Sequence, residues 1–127
     1  MYLIDTHILY WYINNDDRLS EDISHIISTQ SGVYVSICSF WEMAIKNNIG
    51  KLTLPLPIKD IMSACEKNDI SVLPIKAEHI ELLSSLPFIH RDPFDRMLIS
   101  QAIYEGLTLV TADENILKYT GVKLIKA

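Results

Sequence analysis

Short β-branched or aromatic runs alternate with longer stretches of helical spacing along the whole chain, and this alternation restricts the fold more than any other feature. Strands joined through helices run parallel, because the crossover is long and returns the chain to the same edge, and its fixed hand places helices on both faces of the sheet. The pattern predicts strands at Tyr2–Ile4, Val33–Ser36, Ser71–Pro74, Leu107–Thr111 and Val122–Ile125. Helices are expected from about Ile8 to Ile13, after a Ser20 cap, from a Ser39 cap to near Gly50, over Ile58–Lys67 and over Ala77–Leu86. A further helix opens at Asp92-Pro93, runs through Tyr104 and closes at Gly106, and a short one follows Asp113. The fold class is therefore α/β. With 127 residues, no internal repeat and no linker-like Gly/Ser run, residues 1–127 read as one domain.

Apolar residues make up 49% of the chain, enough to fill a core between such layers. The longest apolar runs fall far short of the roughly 20 residues that cross a bilayer, and Met1-Tyr2-Leu3-Ile4-Asp5 lacks the basic flank and apolar stretch of a secretory signal. A cytoplasmic location without membrane contact is the expectation, and Cys38 and Cys65 are then expected as buried, reduced thiols. A net charge of −5 opposes nucleic-acid binding by bulk electrostatics. It does so less if the acids gather at a bound cation, which reverses the field where a phosphate approaches.

Ligands of open parallel sheets sit beyond the carboxyl ends of the strands, so the acids that fall there carry the most information. Asp5 follows the first strand, Glu42 lies in the first turn after the second, Asp113 follows the fourth, and Asp95 opens the helix before the fourth. Local structure offers each a duller use. Ser39-Phe40-Trp41-Glu42 fits a capping box, Asp95 favours a helix dipole, and Asp113 suits a cap; Asp5 alone has no evident local use. Four converging carboxylates would repel one another, and a hard divalent cation resolves that conflict. Oxygen donors with no histidine or cysteine nearby point to Mg²⁺ or Mn²⁺ rather than zinc. No H-x₃-H or H-E-x-x-H spacing occurs, although His7 and His90 lie close to the same edge.

These residues stand in blocks that resemble the PIN-domain nucleases, and among them the VapC-type toxins of toxin–antitoxin pairs. The blocks are Leu3-Ile4-Asp5-Thr6-His7, Ser39 to Lys46, Gly50-Lys51-Leu52, His90 to Ile99 and Thr111-Ala112-Asp113. The resemblance implies a three-layer α/β/α sandwich around a mostly parallel sheet of four to five strands, and an acidic quartet at Asp5, Glu42, Asp95 and Asp113, with Asp92 as a helix cap. It further implies RNA phosphodiester hydrolysis by a water activated on one or two Mg²⁺ or Mn²⁺ ions, a homodimer, and a cognate antitoxin partner. Thr6 and Thr111 are candidates to orient ligands or water, and Lys46, Lys51, Arg91 and Arg96 are candidate substrate contacts at the rim. Two other readings stand beside it. One is a catalytically silent binding module of the same fold. The other is a Mg²⁺-binding phosphoacceptor receiver domain, which needs an acid after the third strand where this chain has Pro74-Ile75.

Overall fold

The computed structural model describes residues 1–127. Five strands, β1 (Tyr2–Ile4), β2 (Val33–Ser36), β3 (Ile70–Leu73), β4 (Thr108–Thr111) and β5 (Lys123–Lys126), form one sheet in the order β3-β2-β1-β4-β5, with every neighbouring pair parallel. Helices α1 (Thr6–Ile13) and α2 (Glu21–Thr29) connect β1 to β2, α3 (Ile37–Asn48) and α4 (Ile58–Lys67) connect β2 to β3, and α5 (Ala77–Leu83) and α6 (Pro93–Glu105) connect β3 to β4.

Alternation along each strand divides the core into two layers. Ile4, Val33, Val35, Ile70 and Val110 pack with Ile8, Leu9, Ile23, Ile27, Phe40, Met43, Ile61 and Cys65 of α1 to α4. Their neighbours Leu3, Leu73 and Leu109 point to the opposite face and pack with Leu98, Ile99 and Ala102 of α6, together with Ile116 and Tyr119. The sheet is thus covered on both faces, which is what a parallel sheet requires. Its order also differs from the 2-1-3-4-5 order of receiver domains, and that alternative is withdrawn. No helix is long and apolar enough to cross a membrane. Cys38 and Cys65 are both free and buried.

Three helix boundaries depart from the sequence reading, each for a reason in its capping. Helix α1 starts at Thr6, not near Ile8, because the Asp5 carboxylate accepts the Ile8 N–H and caps it. Asp5 therefore does have a local structural use. Helix α3 starts two residues before the expected Ser39 cap: Ser36, the last residue of β2, accepts the Cys38 N–H, so strand passes directly into helix. The Ser39–Glu42 capping box consequently does not form. Helix α5 ends at Leu83, and Ser84-Ser85-Leu86 continues as turn, with each serine hydroxyl donating to a carbonyl three residues back.

Candidate active site

The strand order reverses direction around β1 and β4, since the crossovers from β1 leave toward β2 and the chain returns to β4 on the other side. In open parallel sheets, ligands bind at such a switch point, outside the carboxyl ends of the strands. Asp5 ends β1, and Thr111 ends β4 two residues before Asp113. The Thr111 hydroxyl donates to Asp5 Oδ2 at 2.5 Å and accepts the Asp113 N–H at 3.0 Å, so one side chain fixes both acids relative to each other. Asp113 Oδ1 in turn accepts the N–H groups of Asn115 and Ile116.

Glu42 arrives from α3. It is 2% exposed, and its two oxygens are held separately: Thr6 Oγ1 donates to Oε1 at 2.7 Å, and Lys46 Nζ meets Oε2 at 2.5 Å. The Ser39 hydroxyl lies 2.9 Å from that of Thr6, which explains why a serine is buried inside the first turn of α3. Asp95 arrives from α6, whose N-cap is Asp92; the Asp92 carboxylate accepts the Phe94 and Asp95 N–H groups, as expected for a cap. The start of α6 lies at the same edge as Asp113, since one oxygen of Asp95 and one of Asp113 fall within 4.8 Å of each other.

Electrostatics record the crowding. Burial raises Asp95 most, and the charges of Asp92, Glu42, Asp113 and Asp5 add to it, so its carboxyl is pushed up to about 8. Asp5 is also raised, by burial and to a lesser degree by Asp113, against the opposing hydrogen bonds from Thr111 and Ile8. Burial works against the Lys46 ammonium, but the contact with Glu42, aided by Asp92 and Asp95, outweighs it and raises Lys46. Such a site is short of positive charge.

His90, which the sequence places near this edge as a candidate substrate contact, lies among the acids themselves. Its Nε2 lies 2.9 Å from Asp95 Oδ2 and 3.5 Å from Asp113 Oδ1, and one ligand atom from each of the three residues falls within 4.8 Å of the others. The expectation of oxygen donors with no histidine nearby is thereby corrected. Two contacts hold His90 in place: its N–H donates to the Tyr119 hydroxyl, and its Nδ1 accepts the Asp92 N–H at 3.3 Å. The second contact leaves the ring proton on Nε2, which is buried and points along no aligned hydrogen bond despite its nearness to Asp95. The signal in the sequence was the short His90-Arg91-Asp92 spacing before a Pro-opened helix; the distant Tyr119 contact had none.

The four rim candidates separate. Lys51 and Arg91 are exposed, and Lys46 is partly exposed but paired with Glu42. Arg96 is 9% exposed, and its guanidinium donates to the carbonyls of Leu83 and Pro87 and to the Tyr119 hydroxyl. It is a buried brace, so its place at the rim is corrected.

The chain is similar to known proteins over nearly its whole length. Residues 2–122 match the PIN domain family. Ribonuclease VapC22 of Mycobacterium tuberculosis (strain ATCC 25618 / H37Rv) is 28% identical over 117 residues, covering 90% of this chain and 88% of that protein. Among solved structures, VapBC2 from Rickettsia felis bound to a promoter DNA fragment has a TM-score of 0.73 at 16% identity, over 99% of this chain and 98% of that one. FitAcB from Neisseria gonorrhoeae has a TM-score of 0.69 at 14% identity, over 99% and 97%. At those identities the structures speak for the fold. With almost its full length matched and its acids gathered at the switch point of a parallel sheet, the chain belongs to the PIN domain family.

Proposed function

We propose that the protein is a metal-dependent endoribonuclease, the toxin of a toxin–antitoxin pair. The observation that carries this reading is the convergence at one sheet edge of Asp95 and Asp113, with one ligand atom of each within 4.8 Å of the other, and of Asp5, tied to Asp113 through Thr111; burial, helped by the neighbouring acids, pushes Asp95 up to about 8. Buried carboxylates gathered this way suit a hard divalent cation. Asp5, Asp95 and Asp113 would hold Mg²⁺ or Mn²⁺. A bound divalent cation supplies neutralisation of the phosphate and acidification of water.

The chain's own groups do the rest. Glu42, held by Thr6 on one oxygen and Lys46 on the other, would either help hold a second ion or act on the attacking water as base. Thr111 holds Asp5 in a single rotamer, and a fixed donor set needs little reorganisation when substrate arrives. Exposed Lys51 and Arg91, with partly exposed Lys46, offer the phosphate contacts that the net charge of −5 does not. The partners follow from the relatives: VapBC2 and FitAcB match over nearly all of this chain, and a complex from Klebsiella pneumoniae with a TM-score of 0.67 is described as toxin with antitoxin. A protein antitoxin is accordingly part of the proposal; the homodimeric state and the cytoplasmic location are carried over from the sequence resemblance alone.

The test is cleavage of single-stranded RNA by purified protein. Mn²⁺ or Mg²⁺ should support it, EDTA should stop it, and Asp5→Asn should abolish it. Cleavage that persists in chelator rules out the cation's role. A well-folded protein that binds RNA but cuts nothing under any divalent ion is the silent module instead.

A further inference from the structure

Beside the acids lies a hollow of about 230 Å³ lined by Asp5, His7, Trp11, Ala112 and Asp113. We propose that it is a nucleobase subsite, in which Trp11 and His7 receive the base of a nucleotide flanking the cleaved phosphodiester; this rests on the ribonuclease reading above.

The helix geometry brings the two kinds of chemistry together. Asp5 caps α1, so the helix starts at the acid. His7 and Trp11 are four residues apart and share one helix face. Trp11 stands six residues beyond Asp5, about 9 Å along the axis at 1.5 Å per residue. One end of the hollow is therefore carboxylate, where a cation and phosphate belong, and the other is aromatic. The two rings lie 6.2 Å apart between centroids and are tilted by 52°. Ala112 adds only a methyl group to the wall. The hollow is smaller than the roughly 300–1,000 Å³ of sites that enclose a whole drug-sized ligand, and so suits a single ring system.

Trp11 is also braced. The Arg18 guanidinium sits 5.2 Å from the centre of its ring, and Asp16 holds that guanidinium through both carboxylate oxygens. Such bracing limits the rotamer entropy lost when a base arrives. Single-stranded RNA is recognised by stacking unpaired bases on aromatic side chains, and a base tethered to a phosphate at the acids is the planar group that reaches this wall.

The test uses a single-stranded oligoribonucleotide with one cleaved bond and a set of versions in which each nucleotide in turn lacks its base. In wild-type protein, one abasic position next to that bond should raise KM about tenfold with little change in kcat, as expected for the loss of one stacked base. In Trp11→Leu, and more weakly in His7→Ala, that penalty should vanish, because base and ring are removed from the same interaction. A variant that is merely less stable would lose activity on all the oligonucleotides alike. His7 is exposed, so His7→Ala tests the subsite even if Trp11→Leu fails to fold. A second readout needs no turnover. In Trp41→Phe protein with Ca²⁺, the remaining Trp11 fluorescence should be quenched by the intact oligonucleotide and not by its abasic version. A full abasic penalty that persists in Trp11→Leu, or in His7→Ala where Trp11→Leu does not fold, or a fluorescence unmoved by RNA, overturns the subsite. Absence of cleavage by wild-type protein with Mn²⁺ overturns the ribonuclease reading instead. Normal RNA cleavage by Trp11→Leu combined with lost neutralisation by the antitoxin would give the hollow to the antitoxin and likewise overturn the proposal.

Discussion

Asp5 both accepts the Ile8 N–H that starts α1 and contributes a carboxylate oxygen to the site, so its substitutions separate the two uses. Asn keeps an acceptor oxygen for the cap and removes the charge; Asp5→Asn should lose RNA cleavage with little change in melting temperature. Asp5→Ala should lose cleavage and also about 1 kcal/mol of stability, the ordinary cost of removing a helix cap. Equal melting temperatures for the two variants would deny the cap its role. Asp95 gives a pH dependence. Its carboxyl titrates near 8 when folded, against a reference value of 3.8. Between those values the folded protein keeps a proton that the unfolded chain has released. The stability this contributes is complete below about 4 and is lost as pH rises through about 8, with a slope of up to about 1.4 kcal/mol per pH unit. In EDTA, the urea midpoint of wild-type protein should therefore fall more between pH 5 and pH 8 than that of Asp95→Asn. Parallel falls would mean that Asp95 is not the group responsible.

At the scale of elements, strand and helix periodicity were legible in the sequence, and helix beginnings were less so. Val33–Ser36 and Ile58–Lys67 appear as read, because β-branched alternation and a one-sided apolar stripe are properties of the segment itself. The start of α3 was misplaced because Ser36 and Ser39 are equally good caps in one dimension. Only the fold decides that Ser39 is buried against Thr6 of α1. The acids were legible for the same reason the strands were, each following a strand or opening a helix. Arg96 and His90 were not, because both depend on Tyr119, more than 20 residues further along the chain. Arg96 ties the end of α5, the loop at Pro87 and the C-terminal segment to α6 through three hydrogen bonds. Arg96→Met keeps the aliphatic bulk and strands these acceptors, and should cost on the order of 2 kcal/mol in urea denaturation. The Tyr119 hydroxyl would also be freed to shift, and His90 with it. An unchanged midpoint would return Arg96 to the role of a rim cation.

At the scale of the molecule, the acids draw together elements from both faces of the sheet: Asp5 and Glu42 sit on the side of α1 and α3, Asp95 on α6, and Asp113 follows β4. A cation bound among them exists only in the folded state, since the unfolded chain scatters its ligands. Binding must therefore stabilise the whole fold by an amount set by concentration over affinity, about 2.7 kcal/mol at a hundredfold excess over Kd. For a chain of this length that corresponds to a rise in Tm on the order of 10 °C. Raising Mn²⁺ should raise the Tm of wild-type protein logarithmically, without a plateau, and from a lower Mn²⁺ concentration at pH 8 than at pH 6, because a protonated Asp95 competes with the ion for the same oxygens. Asp95→Asn should flatten the response while leaving the metal-free Tm at pH 6 close to that of wild type, where Asp95 is already uncharged. A response of equal size in Asp95→Asn would locate the ion away from these acids. In that case the crowding at the sheet edge would be a property of the apoprotein alone, and the nuclease chemistry would lose its centre.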